Sequence, residues 1–225
     1  MTRGIFIAGN ESTLVRAIEA EALNRVEKYA AALIPNRLSG APKNSIQEND
    51  KRLSIDWNPS SPLSARTVVI GAENRLEHID EAILVCSPPS IRSNASELPL
   101  SDVEVMVNDH IKGWFFLVKE LASVFTNRRR GTLVLVYNNL TGNTGKDDRA
   151  DVLGPSSLAS FRAMSQGLLS AAHSEQYITA GFANSETGNE PAFAEFIFNR
   201  IDQLNERSKG KLYKFGKLNF LKFFK

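Results

Sequence analysis

Apolar and amphipathic segments alternate along the whole chain. Short apolar runs, most of them closed by glycine, proline or a polar residue, predict strands over residues 4–9, 29–34, 53–57, 81–86, 132–137 and 177–182, with a candidate seventh over 211–215. Between them, apolar residues recur at helical spacing and predict helices over about 14–23, 61–76, 103–125, 156–174 and 190–207. Ser12 or Thr13 is placed to cap the first helix. The polar stretch 37–49 is predicted to be a loop.

This order of elements predicts the fold class. Strands that are apolar throughout are typical of a parallel sheet whose two faces are both covered by helices. We therefore expect a doubly wound α/β domain with a mainly parallel sheet of six to seven strands. No internal repeat and no linker is evident, so residues 1–216 are predicted to form a single domain that is followed by a C-terminal tail, residues 217–225.

Composition narrows the class of protein. The chain has 225 residues, of which 42% are hydrophobic and 23% charged, values of an ordinary globular domain. No apolar run approaches the ~18 residues that cross a bilayer. The single cysteine, Cys86, cannot form an internal disulfide, which favours a reducing cytoplasm, and we expect it to be a small buried hydrophobic residue. Apart from this cysteine the chain has only three histidines, which are scattered along the sequence, so no metal site is predicted.

The net charge of +2 is unevenly distributed. Residues 211–225 contain five lysines and no acid, which leaves 22 basic against 25 acidic groups in the rest of the chain. A mildly acidic body does not fit a nucleic-acid-binding protein. The tail also carries five large apolar side chains, Leu218, Phe220, Leu221, Phe223 and Phe224. Such a segment is buried against the protein itself, across a subunit interface, or in an anionic membrane surface, and all three remain open.

Five segments, taken in order, resemble the short-chain dehydrogenase/reductase family over nearly the whole chain. They are the glycine-bearing turn 8–17, Ile55-Asp56-Trp57 after the third strand, His110 to Phe115 in the central helix, the strand 131–138, and Arg162 to Leu168. The resemblance implies a Rossmann-like, NAD(P)-binding type of domain that forms dimers or tetramers. It predicts either a homo-oligomer or a complex with another, paralogous subunit.

At the positions that carry the family's chemistry, this sequence departs from the pattern. The resemblance places Leu158 where the family has its catalytic tyrosine and Arg162 where it has the lysine beside it. Leucine has no proton to give, and arginine does not titrate. Asn138 stands at the position of the serine, and His110 at that of the asparagine that anchors a relay water. These four are candidate site residues at positions that have lost the usual groups.

The cofactor turn is changed as well. Only Gly9 of the family's three glycines remains, and Thr13 and Val15 take the other two positions, where we expect their side chains to crowd a pyrophosphate. By resemblance, the residues that remain to contact a dinucleotide are Gly9, Asn10, Arg37 and Asp56. Arg37, just beyond the second strand, favours a 2′-phosphate, so any cofactor is expected to be NADP(H).

Three hypotheses about function follow. The first is a catalytically degenerate protein of this fold that binds no cofactor and serves as a structural or interaction subunit. The second is an NADP-dependent oxidoreductase with an atypical site built from Asn138, His110 or Tyr137. Because side chains alternate along a strand, Tyr137 and Asn138 must face opposite sides of the sheet and cannot both serve. The third, weaker hypothesis is a protein held at a membrane surface by residues 217–225.

Overall fold

The computed structural model describes residues 3–38, 51–138, 151–186 and 188–216. In chain order, the main elements are β1 (Ile5–Asn10), α1 (Thr13–Leu23), β2 (Tyr29–Ile34), β3 (Arg52–Ser54), α2 (Pro62–Leu76), β4 (Glu81–Cys86), α3 (Leu100–Val107), α4 (Gly113–Arg128), β5 (Thr132–Asn138), α5 (Leu153–Ala171), β6 (Ile178–Asn184), α6 (Glu190–Ile201) and β7 (Leu212–Phe215). A single π-helical turn, Asn108–Lys112, joins α3 to α4.

The strands form one seven-stranded sheet in the order β3-β2-β1-β4-β5-β6-β7, and every neighbouring pair is parallel. The chain moves outward from β1 to β3, returns to β4 beside β1, and then moves outward in the other direction. This reversal at β1 and β4 is the topological switch point, where open α/β sheets bind ligands beyond the carboxyl ends of their strands. The predicted doubly wound α/β class is confirmed.

Two apolar layers cover the sheet, one on each face. Strand residues such as Leu84 and Leu135 pack with α2, α4 and α5 on one face. Their neighbours Val85 and Val134 pack with α1 and α6 on the other. Because both faces are covered, β4 is buried throughout and β5 is buried except at its two ends, which explains their continuously apolar sequence.

Helix caps fix the two loops that open on to the carboxyl edge of the sheet. The Ser12 hydroxyl accepts a hydrogen bond from the Val15 amide at 3.2 Å and so caps α1, as the sequence predicted. The Ser61 hydroxyl does the same for the Ser64 amide at 3.3 Å, and Pro62 follows it at the first position of α2.

Several predicted boundaries were wrong. The helix predicted over 103–125 begins three residues earlier and ends three later, and the π turn interrupts it. The last helix ends at Ile201 rather than 207, because Asn205 caps a short 3₁₀ turn over Glu206–Ser208. The third strand is shorter than predicted, since Trp57 leaves the sheet and is buried in the core. Of the loop predicted over 37–49, residues 39–49 lie outside the described part of the chain, as does the tail.

Within the described ranges, no helix is both long and apolar enough to cross a bilayer.

Candidate functional site

A cavity of about 840 Å³ opens at the carboxyl ends of β1 to β4, at the switch point of the sheet. Its described wall comes from the turn after β1, the ends of β2 and β3 with the segments that follow them, the loop after β4, and the π turn. The polar, charged and aromatic residues of this wall that are discussed below are Asn10, Glu11, Arg37, Asp56, Trp57 and His110.

Three of the four predicted cofactor residues, Asn10, Arg37 and Asp56, line this cavity. Gly9, the fourth, lies behind the wall. A Cβ atom at Gly9 would come within 2.8 Å of the Val15 Cγ2 atom and 2.9 Å of the Val85 carbonyl oxygen. Glycine is therefore needed here because α1 and β4 both pack directly against the backbone of β1.

The turn between β1 and α1 is not built as expected. Val15 does not crowd the cavity: it is almost completely buried and points into the core beneath α1. The groups that oppose a phosphate there are different ones. The Val15 amide is already used by the Ser12 cap, and the Glu11 carboxylate, held by Arg16, lines the cavity beside the start of the helix. A carboxylate at that place repels a bound phosphate.

Arg37 stands between two partners. Its Nη2 atom donates a hydrogen bond to the Asn58 Oδ1 atom at 3.2 Å, and its Nη1 atom lies 3.8 Å from the Asp109 Oδ2 atom. Asp109 is buried in the π turn, whereas 42% of the Arg37 side chain is exposed. Burial raises the pKa of Asp109 and the nearby Arg37 charge opposes that rise. The sequence analysis missed this pair, which joins residues far apart in the chain.

His110 also belongs to the π turn and lines the cavity, although its side chain is nearly all buried. Burial lowers the pKa of His110 to about 4, so the imidazole is neutral at pH 7. The local widening of the helix shows in the Gly113 amide, which donates to the Asn108 carbonyl five residues back. The His110 carbonyl accepts a hydrogen bond from the Ser157 hydroxyl at 2.9 Å, which ties the π turn to α5.

Leu158 and Arg162, at the positions where the resemblance expects tyrosine and lysine, lie on α5 and are not among the described residues that line the cavity. Leu158 packs against the apolar layer that α2, α4 and α5 form with one face of the sheet. The guanidinium of Arg162 sits 5.9 Å from the centre of the Tyr137 ring. Tyr137 is buried beside Phe161, and burial raises the pKa of its hydroxyl, with Arg162 acting in the opposite direction.

Asn138 ends β5 one position after Tyr137, whose side chain packs in the layer formed with α2, α4 and α5. It pairs in register with Asn184 at the end of β6. The Asn138 Oδ1 and Asn184 Nδ2 atoms are buried without a hydrogen-bond partner, while the Asn184 Oδ1 atom accepts from the Glu186 amide at 2.9 Å. Neither asparagine is among the described residues of the cavity wall, which brings together Asn10, Arg37, Asp56 and His110 of the predicted site residues.

No family model and no curated protein matches this sequence. Solved structures do match over nearly the full length. A short-chain dehydrogenase/reductase from Serratia marcescens is 13% identical, with 95% of each chain covered and a TM-score of 0.66. An NADH-dependent reductase A1-R′ complexed with NAD is 9% identical, with 95% of each chain covered and a TM-score of 0.71. The chain has the short-chain dehydrogenase/reductase fold. Serine dehydrogenase from Escherichia coli, 12% identical at a TM-score of 0.68 over 94% of this chain and 96% of its own, has the same architecture.

The fold implied by the five sequence segments is thus confirmed. At identities this low, a shared short-chain dehydrogenase/reductase fold is a statement about architecture, because one fold carries many unrelated functions. Function has to be argued from the cavity and from the residues at α5.

Proposed function

We propose that this protein is a catalytically degenerate member of the short-chain dehydrogenase/reductase fold that serves as a structural or interaction subunit. The proposal is supported by α5: by the sequence resemblance, Leu158 and Arg162 stand where the family has its proton donor and lysine, and the Arg162 guanidinium lies 5.9 Å from the centre of the buried Tyr137 ring. A carbonyl that accepts a hydride must also receive a proton, and neither side chain supplies one.

Other groups near the site do not replace the missing acid. His110 is neutral at pH 7, with a pKa of about 4, so it carries no proton of suitable acidity. Burial raises the pKa of Tyr137 and of Cys86, which makes both poorer acids. None of the described residues that line the cavity is a tyrosine, a lysine or a cysteine.

An NADP-dependent oxidoreductase with an atypical site is the second candidate. The exposed part of Arg37 on the cavity wall favours it, since a guanidinium there suits a 2′-phosphate. The Glu11 carboxylate and the Ser12 cap at the start of α1 argue against a bound pyrophosphate. We therefore rank this function below the first.

The double variant Leu158→Tyr/Arg162→Lys tests the proposal. If the phosphate turn is also unsuited to a dinucleotide, restoring the acid and the lysine yields no measurable oxidation of NADPH or NADH with a panel of ketones, aldehydes and quinones. Turnover by the wild-type protein contradicts the proposal. Turnover by the double variant alone shows that only the catalytic residues had been lost and that the cofactor site is intact.

We further propose that the partner is a second copy of this chain or another, paralogous protein subunit, bound through residues 217–225. Deleting these residues then lowers the particle mass measured by light scattering, and an unchanged mass contradicts an interface role. Sedimentation with vesicles that depends on anionic lipid supports the membrane hypothesis instead.

The single cysteine, Cys86, is free and buried, which supports a reducing cytoplasm as the place of action.

A further inference from the structure

Arg37, a predicted cofactor contact, forms a charge pair with Asp109, a residue that the sequence resemblance did not single out. Arg37 lines the cavity, while Asp109 lies behind the wall in the π turn, and their nearest atoms are 3.8 Å apart. The Asp109 Oδ2 atom is buried and has no hydrogen-bond partner. Arg37 is thus the described cation nearest to that oxygen, at a distance too long for a hydrogen bond.

We propose that Asp109 determines which ligands this cavity accepts: it holds Arg37 as its counter-ion and so keeps the cavity from binding phosphate-bearing ligands while leaving it open to uncharged ones. This inference goes beyond the proposed structural role, and it concerns ligand charge rather than hydride transfer. Asp109 acts through Arg37 and is therefore a positioning residue that need not touch the ligand.

Separating Arg37 from Asp109 costs free energy. A phosphate that recruits the Arg37 guanidinium takes it from Asp109 and leaves a buried carboxylate without a compensating charge. An uncompensated buried charge is costly, whereas the exposed side of Arg37 gains comparatively little from a ligand that water also solvates. Burial already raises the pKa of Asp109, which fits a carboxylate that depends on one distant cation.

The remaining charges on the wall reinforce this preference. Arg52 also lines the cavity, but its Nε atom is bound to the Glu19 Oε1 atom at 2.9 Å. Glu11, paired with Arg16, and Asp56 add two carboxylates to the wall. With both arginines engaged by acids, the described wall carries no surplus of positive charge to receive a phosphate.

The test compares two probes that differ by one phosphate, adenosine and adenosine 2′-monophosphate. Binding is measured by calorimetry and by intrinsic tryptophan fluorescence, to which Trp57 on the cavity wall and the adjacent Trp114 both contribute. We expect Asp109→Asn to bind adenosine 2′-monophosphate at least about tenfold more tightly than the wild type, which is the low end of the value of a hydrogen bond to a charged group. Binding of adenosine should change less than twofold.

Controls separate this role from a structural one. The double variant Arg37→Gln/Asp109→Asn should lose the gain, because the gain comes from the released guanidinium. Asp56→Asn, which removes an exposed acid from the same wall, should change the phosphate preference by less than about threefold. Asp109→Ser serves as a second variant if Asp109→Asn does not give a cooperative thermal transition.

Equal affinity of the wild type and the Asp109 variants for adenosine 2′-monophosphate, including undetectable binding by both, overturns the proposal. A gain that persists without Arg37 overturns it as well. Neither result depends on whether the protein transfers hydride, so this test and that of the proposed function fail independently.

Discussion

Among the single residues near the cavity, burial decides which groups can exchange a proton. His110 is neutral because charging it would place an imidazolium in the core, while burial acts in the opposite direction on Asp109 and raises its pKa. Arg37 is exposed and charged beside them. The neutral imidazole of His110 and the Arg37–Asp109 pair thus lie beside the Glu11 and Asp56 carboxylates of the cavity wall.

The buried histidine makes stability depend on pH. Because its folded-state pKa of about 4 is below the unfolded value, the unfolded chain binds more protons as the pH falls below about 6.5. The His110 contribution to stability is thus complete above about pH 6.5 and is lost as the pH falls towards 4. We expect His110 to account for about 2 kcal/mol of lost unfolding free energy between pH 7 and pH 5.

Urea unfolding of the wild type and of His110→Gln at both pH values measures this contribution. The wild type should lose about 2 kcal/mol more than the variant between pH 7 and pH 5. Taking the difference between the two proteins cancels the titration of other groups. An equal loss in both would mean that His110 is not held neutral in the folded state.

At the scale of the helices, close contacts rather than intrinsic propensity fix the elements around the cavity. Gly113 begins α4 directly beneath the loop that follows β3, where an added Cβ would lie 2.5 Å from the Pro59 Cβ atom. Gly167 lies in α5 and has open space at the same position. Both glycines have helical backbone conformation, one in α4 and one in α5, but only Gly113 has close neighbours. They therefore form a matched pair for substitution by alanine.

Gly113→Ala should lower the unfolding free energy by about 1–3 kcal/mol, because α4 must move away from Pro59. Gly167→Ala should raise it by up to about 1 kcal/mol, since alanine is the better helix former. Thermal unfolding of both variants and of the wild type measures the sign of each stability change. A Gly113→Ala variant that is as stable as the wild type or more so would show that α4 does not pack this closely against Pro59.

The cap of α1 gives a second test at this scale. Ser12→Ala removes the oxygen that accepts the Val15 amide and should cost about 1 kcal/mol of unfolding free energy. Ser170→Ala, an exposed change within α5, is the control and should cost nothing, because alanine favours a helix. Equal effects in chemical denaturation would show that Ser12 does not cap the helix in solution.

For the whole molecule, the sequence was sufficient for the architecture because both faces of the sheet are buried. Continuous apolar runs such as Ile83 to Cys86 are produced by that burial, and they marked the central strands to within a residue or two. The inward direction of Val15 was missed, although it follows Leu14 and precedes Ile18 at helical spacing on the buried face of α1. That periodicity could have found it.

The contacts that could not be predicted from the sequence join residues that are far apart in the chain. Nothing local connects Arg37 with Asp109, since their contact depends on how the segment after β2 meets the π turn. The π turn itself has no apolar signature, because one extra residue shifts the helical register without changing residue types. Likewise, the stacking of Arg162 on Tyr137 required the packing of α5 on β5.

We have proposed that this chain keeps the short-chain dehydrogenase/reductase fold without its hydride-transfer chemistry. Calorimetric titration of the wild-type chain of 225 residues with NADPH and NADH tests this most directly. The changed phosphate turn, with Glu11 and the Ser12 cap at the start of α1, predicts no saturable heat up to millimolar concentrations of either nucleotide. Saturable binding of NADPH below that range would contradict the account and would favour the oxidoreductase alternative.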